Sequence, residues 1–196
     1  MYENRSLGWW RRALQQVFGC DPRALALFRM GLGLMILLDI GLRWPYLEAF
    51  LTDAGPIDRA TAVSLLELDY GQVAEYVWSL NYLSGELWWQ QVLMGLLGMA
   101  AVGLMIGWHT WWMTLVCWVL IVSLHMRCPV ILSSGDTLLR CVLFFSLFAP
   151  LGGWWSFDAA RTKRLSGVMS DEPEVPPVVL TVGTAGLITQ LFCMYF

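Results

Sequence analysis

Long apolar runs dominate the pattern of hydrophobic and polar positions along this chain. Five of them are candidates for membrane-crossing helices, and they cover residues 22–43, 87–107, 110–125, 136–151 and 178–196. The third and fourth runs have only about 16 residues, close to the lower limit of roughly 17 for a helix that crosses a bilayer. Polar ends or a locally thinned bilayer would allow these two to cross. The pattern therefore predicts an all-α fold, a polytopic membrane helical bundle of about five transmembrane helices.

The first 20 residues show a different, two-sided pattern. Apolar residues recur there at helical spacing opposite a polar face: they are Leu7, Trp10, Leu14, Val17 and Phe18, opposite Arg11, Arg12, Gln15 and Gln16. Such a segment is typical of an amphipathic helix that lies in the membrane interface. It lacks the continuous apolar core of a cleavable signal peptide. We therefore expect an N-terminal interfacial amphipathic helix at residues 1–20, ahead of a membrane domain at residues 21–196.

Basic residues in the short flanks of the spans predict the orientation of the bundle. Four arginines precede the first span and three basic residues follow the fourth: Arg5, Arg11, Arg12 and Arg23, then Arg161, Lys163 and Arg164. Because basic flanks stay on the cytoplasmic side, we expect both flanks and the N-terminus there. The acidic connection at residues 44–86 then lies outside. A basic loop after the fourth span and a proline-stiffened linker at residues 170–177 complete the predicted cytoplasmic side.

Composition supports a membrane protein and excludes other classes. The chain of 196 residues is 58% hydrophobic and 14% charged, with 12 tryptophans and a mean hydropathy of +0.59, values that a soluble domain does not have. A net charge of −3 without a long basic run excludes nucleic-acid binding. The five cysteines are scattered and show no metal-binding spacing, so we interpret them as free thiols.

Charged residues inside the first span are the most informative departure from the apolar pattern. Arg29 and Asp39 lie within the run, and Arg43 ends it. A charge in the hydrocarbon core costs a few kcal/mol or more unless it faces protein, a partner or a water-filled cavity. For Arg29, on the cytoplasmic half, we expect a contact with a lipid phosphate or a partner, because its long side chain can reach the inner head groups. The span is therefore more than a simple anchor.

The predicted topology brings six polar side chains from three helices to one level near the outer surface. They are Asp39, Arg43, His125, Arg127, Asp136 and Arg140. In one interpretation they line a wet cavity in which His125 and Asp136 handle protons or hold an anionic or quinone-like ligand. In the other, Asp39–Arg43 and Asp136–Arg140 are ion pairs within their own helices, and His125 bonds a backbone carbonyl. Both interpretations remain open at the level of sequence.

Other kinds of site find little support in the sequence. The two histidines, His109 and His125, fall at opposite ends of the third span, so they cannot ligate one haem from facing helices. The sequence contains no glycine-rich phosphate loop, no HExxH or GxSxG motif and no metal-ligand spacing. No internal repeat supports a transporter built from inverted repeats. The six outer polar residues are therefore the main candidate site.

Two blocks of sequence, at residues 21–40 and 127–159, resemble a known membrane family. The first block reads Asp21-Pro22-Arg23, then Arg29, then Leu38-Asp39-Ile40. The second reads Arg127-Cys128-Pro129, then Ser133-Ser134-Gly135-Asp136-Thr137-Leu138-Leu139-Arg140, followed by Leu147-Phe148-Ala149-Pro150-Leu151-Gly152 and Trp155-Ser156-Phe157-Asp158-Ala159. The blocks are similar to the HTTM (horizontally transferred transmembrane) family, the membrane domain of vitamin K-dependent gamma-glutamyl carboxylase-like proteins. They follow the family's order, and bacterial members carry a similar second block. The resemblance implies an integral protein, and we expect it in a bacterial inner membrane.

The resemblance also implies what this chain lacks. In the carboxylase a membrane-embedded lysine deprotonates vitamin K hydroquinone, and the family places it a few residues beyond a helix similar to residues 190–196. Here the sequence ends first, and its single lysine, Lys163, lies in the predicted basic loop. A solvated lysine has a pKa of about 10.4 and stays protonated, so it cannot act as that base. The resemblance therefore implies no catalytic residue in this polypeptide.

Three functions remain compatible with the sequence. The first is a non-catalytic accessory subunit, a scaffold in a larger membrane complex that meets partner helices, lipids or pigments. The second is the N-terminal half of a carboxylase-like, quinone-using membrane enzyme that another polypeptide completes; the third is a small-ligand binder or transporter. The end at Tyr195–Phe196 without a polar tail suggests missing neighbours and favours the first two. We therefore predict membrane lipids and other membrane subunits as partners, with a quinone, a lipid or a pigment as the candidate cofactor.

Overall fold

The computed structural model describes residues 12–71, 78–127, 132–166 and 178–195, and the regular structure in these ranges is helical. A short helical segment at residues 12–18 is α1. The other α-helices are α2 (Pro22–Arg43), α3 (Leu47–Leu51), α4 (Arg59–Tyr70), α5 (Leu87–Ile106), α6 (Thr110–Arg127), α7 (Ser134–Ser146), α8 (Phe157–Ser166) and α9 (Val182–Tyr195). The all-α prediction is confirmed for these ranges.

The first long helix begins where the sequence predicts. Oδ1 of Asp21 accepts a hydrogen bond of 2.8 Å from the backbone N–H of Arg23, which caps the helix. Pro22 occupies the first turn, where a backbone N–H would have no partner inside the helix. After Arg43, a 3-10 turn and α3 continue the apolar helical stretch to Leu51, 30 residues in all. Local capping and the apolar run together define this element.

The core lies between five helices that pack in the order of the chain. α2 packs against α5, α5 against α6, α6 against α7, and α7 against α9. Each of the first four contributes a fully buried side chain: Ile36, Leu104, Ile121 and Leu143. The tight turn at residues 107–109 makes α5 and α6 antiparallel neighbours. Burial of these apolar faces therefore holds the bundle together.

Among the described residues, three helical stretches are long and apolar enough to cross a membrane. They are Pro22–Leu51, Leu87–Ile106 and Thr110–Arg127. They overlap the first three predicted spans, the first of them extending past the predicted end at Arg43, and are compatible with an integral membrane protein.

The fourth and fifth predicted spans are shorter as helices. α7 has 13 residues and α9 has 14 residues. At the usual rise per residue each is about 20 Å long, less than the roughly 30 Å of a bilayer core. α7 ends because the backbone tightens into turns after Ser146, and Pro150 has no N–H to continue a helix. The count of five spans stays a prediction.

The basic segment after the fourth run is a helix and not the predicted loop. α8 begins at Phe157 because the hydroxyl of Ser156 accepts a hydrogen bond of 2.9 Å from the backbone N–H of Ala159. Lys163 belongs to this helix. Ser156 is the residue in the sequence that could have indicated the start of this helix. The charged composition of the segment favoured a loop instead.

Several remaining predictions fall partly outside the described residues. The interfacial segment is described only from residue 12, where Leu14 and Val17 are exposed on α1. The linker at residues 170–177 lies outside, as does Cys128. The four described cysteines, Cys20, Cys117, Cys141 and Cys193, are free thiols as predicted.

The starts of α2 and α9 lie side by side. Cys20 and Val179 exchange two backbone hydrogen bonds, each 3.0 Å long. Their helices therefore begin at the same end of the bundle, which we call the inner end; the opposite end, where α6 finishes and α7 starts, is the outer end.

Candidate functional site

Arg43 bonds two carboxylates at the outer end of the bundle. Its Nε lies 2.8 Å and 2.9 Å from the two oxygens of Asp39, one turn earlier on α2. Its Nη2 lies 2.6 Å from Oδ1 of Asp136 on α7. One guanidinium therefore completes the predicted pair within α2 and also joins that helix to α7.

Asp136 reaches this position because it also caps its own helix. Its Oδ2 accepts hydrogen bonds from the backbone N–H and the hydroxyl of Ser133, at 2.7 Å and 3.1 Å. In turn, the hydroxyl oxygen of Ser133 accepts a hydrogen bond from the backbone N–H of Asp136, and the two residues together form a capping box. The local sequence thus aims Oδ1 of the carboxylate at Arg43.

His125 lies behind this ion pair. The imidazole is 1% exposed, and its Nε2 is 3.6 Å from Oδ1 of Asp136, too long for a hydrogen bond. Within the part of the chain that the structure describes, neither ring nitrogen has a hydrogen-bond partner. The backbone carbonyl that the second interpretation assigned to His125 is therefore not its partner. We call Asp39, Arg43, His125 and Asp136 the outer cluster.

The other two predicted residues lie outside the outer cluster. Arg127 is fully buried and turns toward the connection on the outer side, where its Nη2 donates to the carbonyl of Ile57 at 3.1 Å and lies 3.8 Å from Asp53. Arg140 donates to the hydroxyl of Thr137 at 3.3 Å. It does not form the predicted pair with Asp136, because the oxygens of that carboxylate already bond Arg43 and Ser133.

A cavity of about 370 Å³ opens beside the outer cluster. Its polar wall consists of Asp39, Arg43, Ser133 and Asp136, and its apolar wall consists of Leu42, Tyr46, Leu47, Phe50, Leu51, Leu124 and Leu132. This volume lies within the range of about 300–1,000 Å³ that small-molecule sites occupy. Each charged side chain of the wall is already paired with another, so the wall suits an uncharged amphiphile better than the anionic ligand of the first interpretation. We call this space the outer cavity.

Arg29 lies at the inner end and is fully buried by protein. Its Nη2 donates to the carbonyl of Trp155 at 2.7 Å, and its Nη1 to the carbonyl of Leu151 at 3.4 Å. The expected lipid phosphate or partner is therefore replaced by backbone carbonyls of the turn after α7. Gly107, at φ +76°, packs against the guanidinium so closely that a Cβ there would overlap Nη1.

Asp158 is a structural residue that the sequence analysis did not single out. Its carboxylate accepts hydrogen bonds from the backbone N–H of His109 at 3.0 Å, and from the N–H and hydroxyl of Thr110 at 2.9 Å and 3.0 Å. Burial by itself would raise the pKa of this carboxyl, but these hydrogen bonds outweigh it and hold the pKa below its usual value. Asp158 on α8 thus caps the start of α6. The sequence has no capping residue directly before Thr110, and this could have indicated that a distant residue supplies the cap.

A buried polar network fixes the residues before α5 to α6. The hydroxyl of Ser123 accepts from the backbone N–H of Leu80 at 2.7 Å and from the side-chain amide of Asn81 at 2.9 Å. The hydroxyl of Ser79 donates to the Ser123 carbonyl at 2.6 Å. The pattern of apolar runs did not predict this network, because Ser123 lies inside a run.

Comparison with known proteins gave no match to a family model, to a curated protein or to a solved structure. The resemblance to the HTTM family therefore stays a prediction from the sequence.

Proposed function

We propose that this chain is an HTTM-like integral membrane protein that acts as a non-catalytic accessory subunit, a helical scaffold in a larger membrane complex. One observation carries the proposal. The charged side chains of α2 are used inside the chain: Arg43 joins two carboxylates, and Arg29 bonds the turn after α7. Arginines that bond groups of their own chain stabilise the bundle. They are not available to bind a substrate or to take part in a chemical step.

The position of Lys163 does not match that of the carboxylase base. The sequence contains one lysine, Lys163, and it belongs to α8, outside the five proposed spans. A base needs a depressed pKa, which a lysine acquires when it is desolvated inside a protein or membrane. The proposal that the N-terminal half of a carboxylase-like enzyme is completed by another chain therefore requires that chain to supply the lysine.

We further propose five spans with a cytoplasmic N-terminus, in a bacterial inner membrane. α2, α5, α6, α7 and α9 alternate in direction, with α2 and α9 beginning at the same end. The basic residues before α2 and in α8 then fall on one side, as the positive-inside rule requires. α7 and α9 would cross as short helices, with their flanking residues or a thinned bilayer completing the distance.

Exposed apolar faces on the long helices supply the contact surface for lipids and partner subunits. On α2 the exposed residues include Leu27, Leu34, Leu38 and Leu42, and on α5 they include Trp88, Met99 and Ile106. Such faces are stable only against hydrocarbon or another apolar surface.

Native mass spectrometry of the protein extracted in mild detergent tests the scaffold proposal. We expect the 22.2 kDa chain in fixed stoichiometry with other membrane subunits. A chain that carries lipids alone would contradict the scaffold proposal. A partner with a membrane-embedded lysine and quinone-dependent turnover would support the split-enzyme alternative instead.

The outer cavity supports a second candidate function, a binder of an uncharged amphiphile such as a quinone or a neutral lipid. Leu42 lines this cavity and is 74% exposed, so Leu42→Trp should narrow the opening without disturbing the core. We expect the variant to co-purify with less of the bound amphiphile, measured by mass spectrometry of an organic extract. Leu38→Trp is the matched control, since Leu38 is exposed one turn away and does not line the cavity. Equal amphiphile content in both variants and the unmodified protein would contradict this function.

A further inference from the structure

A second cavity, of about 300 Å³, lies at the inner end of α6 and α7. Its polar wall consists of Thr110, Thr114, Ser146 and Asp158, and the rest of the wall is mainly apolar. It lies at the opposite end of α6 from the outer cluster. We call it the inner cavity.

Ser146 supplies the observation that points to a ligand. The residue is 2% exposed, it lines the inner cavity, and its hydroxyl has no hydrogen-bond partner among the residues that the structure describes. A buried hydroxyl without a partner is destabilising, and native proteins rarely tolerate one. A polar group inside the cavity would satisfy it.

The other polar groups of the wall determine which kind of ligand fits. The hydroxyl of Thr114 donates to the Thr110 carbonyl at 2.8 Å, and the hydroxyl of Thr110 donates to Asp158 at 3.0 Å. Because both protons are engaged, these oxygens can only accept further hydrogen bonds. The wall therefore offers several acceptors and favours a ligand that donates hydrogen bonds.

The charge on the wall of the inner cavity further restricts which ligand can bind there. Asp158 is the ionisable residue among those that line the cavity, and its pKa below the usual value keeps it anionic. Arg29, whose charge acts on Asp158, is not part of the wall. An anionic group would be repelled here, whereas an ammonium group brings a compensating charge and up to three donors.

From this geometry we propose that the inner cavity binds a primary ammonium group, with the attached methylene chain against Trp111 and Leu151. The ammonium comes from the head group of an aminolipid or from a free alkylamine. This proposal does not depend on the scaffold function: the scaffold proposal could be disproved without affecting the proposed ammonium site.

The source of the ammonium is tested by native mass spectrometry of the detergent-solubilised protein titrated with three probes. They are dioleoyl-phosphatidylethanolamine, dioleoyl-phosphatidylcholine and free ethanolamine. We expect retention of the ethanolamine lipid over the choline lipid, because a quaternary ammonium has no N–H to donate. Retention of free ethanolamine would identify a soluble amine as the source. Equal retention of the two lipids without ethanolamine binding would overturn the proposal.

Ser146→Ala tests the role of the orphan hydroxyl. We expect about tenfold weaker binding of the ethanolamine lipid, the loss typical of one hydrogen bond to a charged group. Without added amine the variant should melt at the same temperature or higher, because it buries no unpaired hydroxyl. Ser64→Ala is the control, since this hydroxyl is exposed on α4 and donates to the carbonyl of Thr61.

Thr114→Val provides a second variant should Ser146→Ala fail to fold. It removes an acceptor of the inner cavity and should also weaken binding of the ethanolamine lipid. Unchanged binding in a folded variant at either position would overturn the proposal.

Discussion

Arg43 is the residue on which the outer end of the bundle depends. It neutralises one carboxylate on its own helix and one on α7, and the second carboxylate is itself held by the cap of α7. An arginine suits this position because its planar guanidinium offers several donors in fixed directions. A lysine has a single ammonium nitrogen, whereas Asp39 and Asp136 bond two different nitrogens of the guanidinium.

Removal of this guanidinium should destabilise the protein. In Arg43→Gln, the partly exposed Asp39 and the buried Asp136 would be left as uncompensated charges. We expect a loss of about 2 kcal/mol, below the range for fully buried pairs because the Arg43 side chain is 21% exposed. Thermal unfolding in detergent should show a Tm lower by about 4–8 °C. Arg140→Gln is the matched control on α7, and an equally large effect there would contradict the role given to Arg43.

Asp158 should contribute stability that depends on pH. Its pKa is lower in the folded protein than in the unfolded chain, so its contribution is present above the unfolded value of about 4 and is lost as pH falls through the folded value. Asp158→Asn should therefore be less stable than the unmodified protein at pH 7, with a difference that shrinks as the pH falls below about 4. Melting curves over this range measure the difference, and Glu67→Gln on exposed α4 controls for the loss of one acidic charge. A constant difference would contradict the assignment.

At the scale of elements, local sequence and tertiary contact contributed differently to each helix. α2, α5 and α6 could be predicted almost to the residue, because long apolar runs with capping residues leave one reasonable assignment. α7 and α9 were predicted too long, because an apolar composition does not reveal where tightened turns end a helix. α8 was missed as a helix, since its stability depends on Ser156 and on the contact of Asp158 with α6.

The α2–α5 contact depends on a glycine. A Cβ at Gly33 would lie 2.9 Å from the carbonyl oxygen of Ala101, whereas a Cβ at Gly31 on the same helix would meet no described residue within 4 Å. We expect Gly33→Leu to push the helices apart and to destabilise the protein by about 3 kcal/mol or more. Gly31→Leu carries the same gain in helix propensity and should be neutral or slightly stabilising. Survival of monodisperse protein after heating would distinguish them, and equal survival would contradict this packing.

At the scale of the whole molecule, the alternating directions of the helices place α4 and α8 at opposite ends of the bundle. α4 precedes α5 at the outer end, and α8 follows α7 at the inner end. The basic composition of α8 and the acidic composition of residues 44–86 agree with this arrangement.

The proposed orientation can be measured by cysteine labelling in intact cells. In a background without native cysteines, we expect Leu68→Cys on α4 to react with a membrane-impermeant maleimide. Arg161→Cys on α8 should react only after the membrane is permeabilised. The reverse pattern would contradict a cytoplasmic N-terminus, and labelling of both positions in intact cells would contradict the number of spans between them.

The sequence by itself determined that this protein is helical and very apolar, and it predicted the three long helices among its five spans, because hydrophobic burial and capping act over short distances along the chain. From the alternating directions of the helices it also predicted six polar residues at one level near the outer surface, of which Asp39, Arg43, His125 and Asp136 form the outer cluster, whereas Arg127 and Arg140 lie outside it. Only the tertiary structure decided that Arg43 bonds Asp136, that Arg127 turns to Asp53, and that Arg29 bonds carbonyls of the turn after α7. Those choices depend on which side-chain atoms come within 3–4 Å, and helix rotation and packing decide that, not residue spacing.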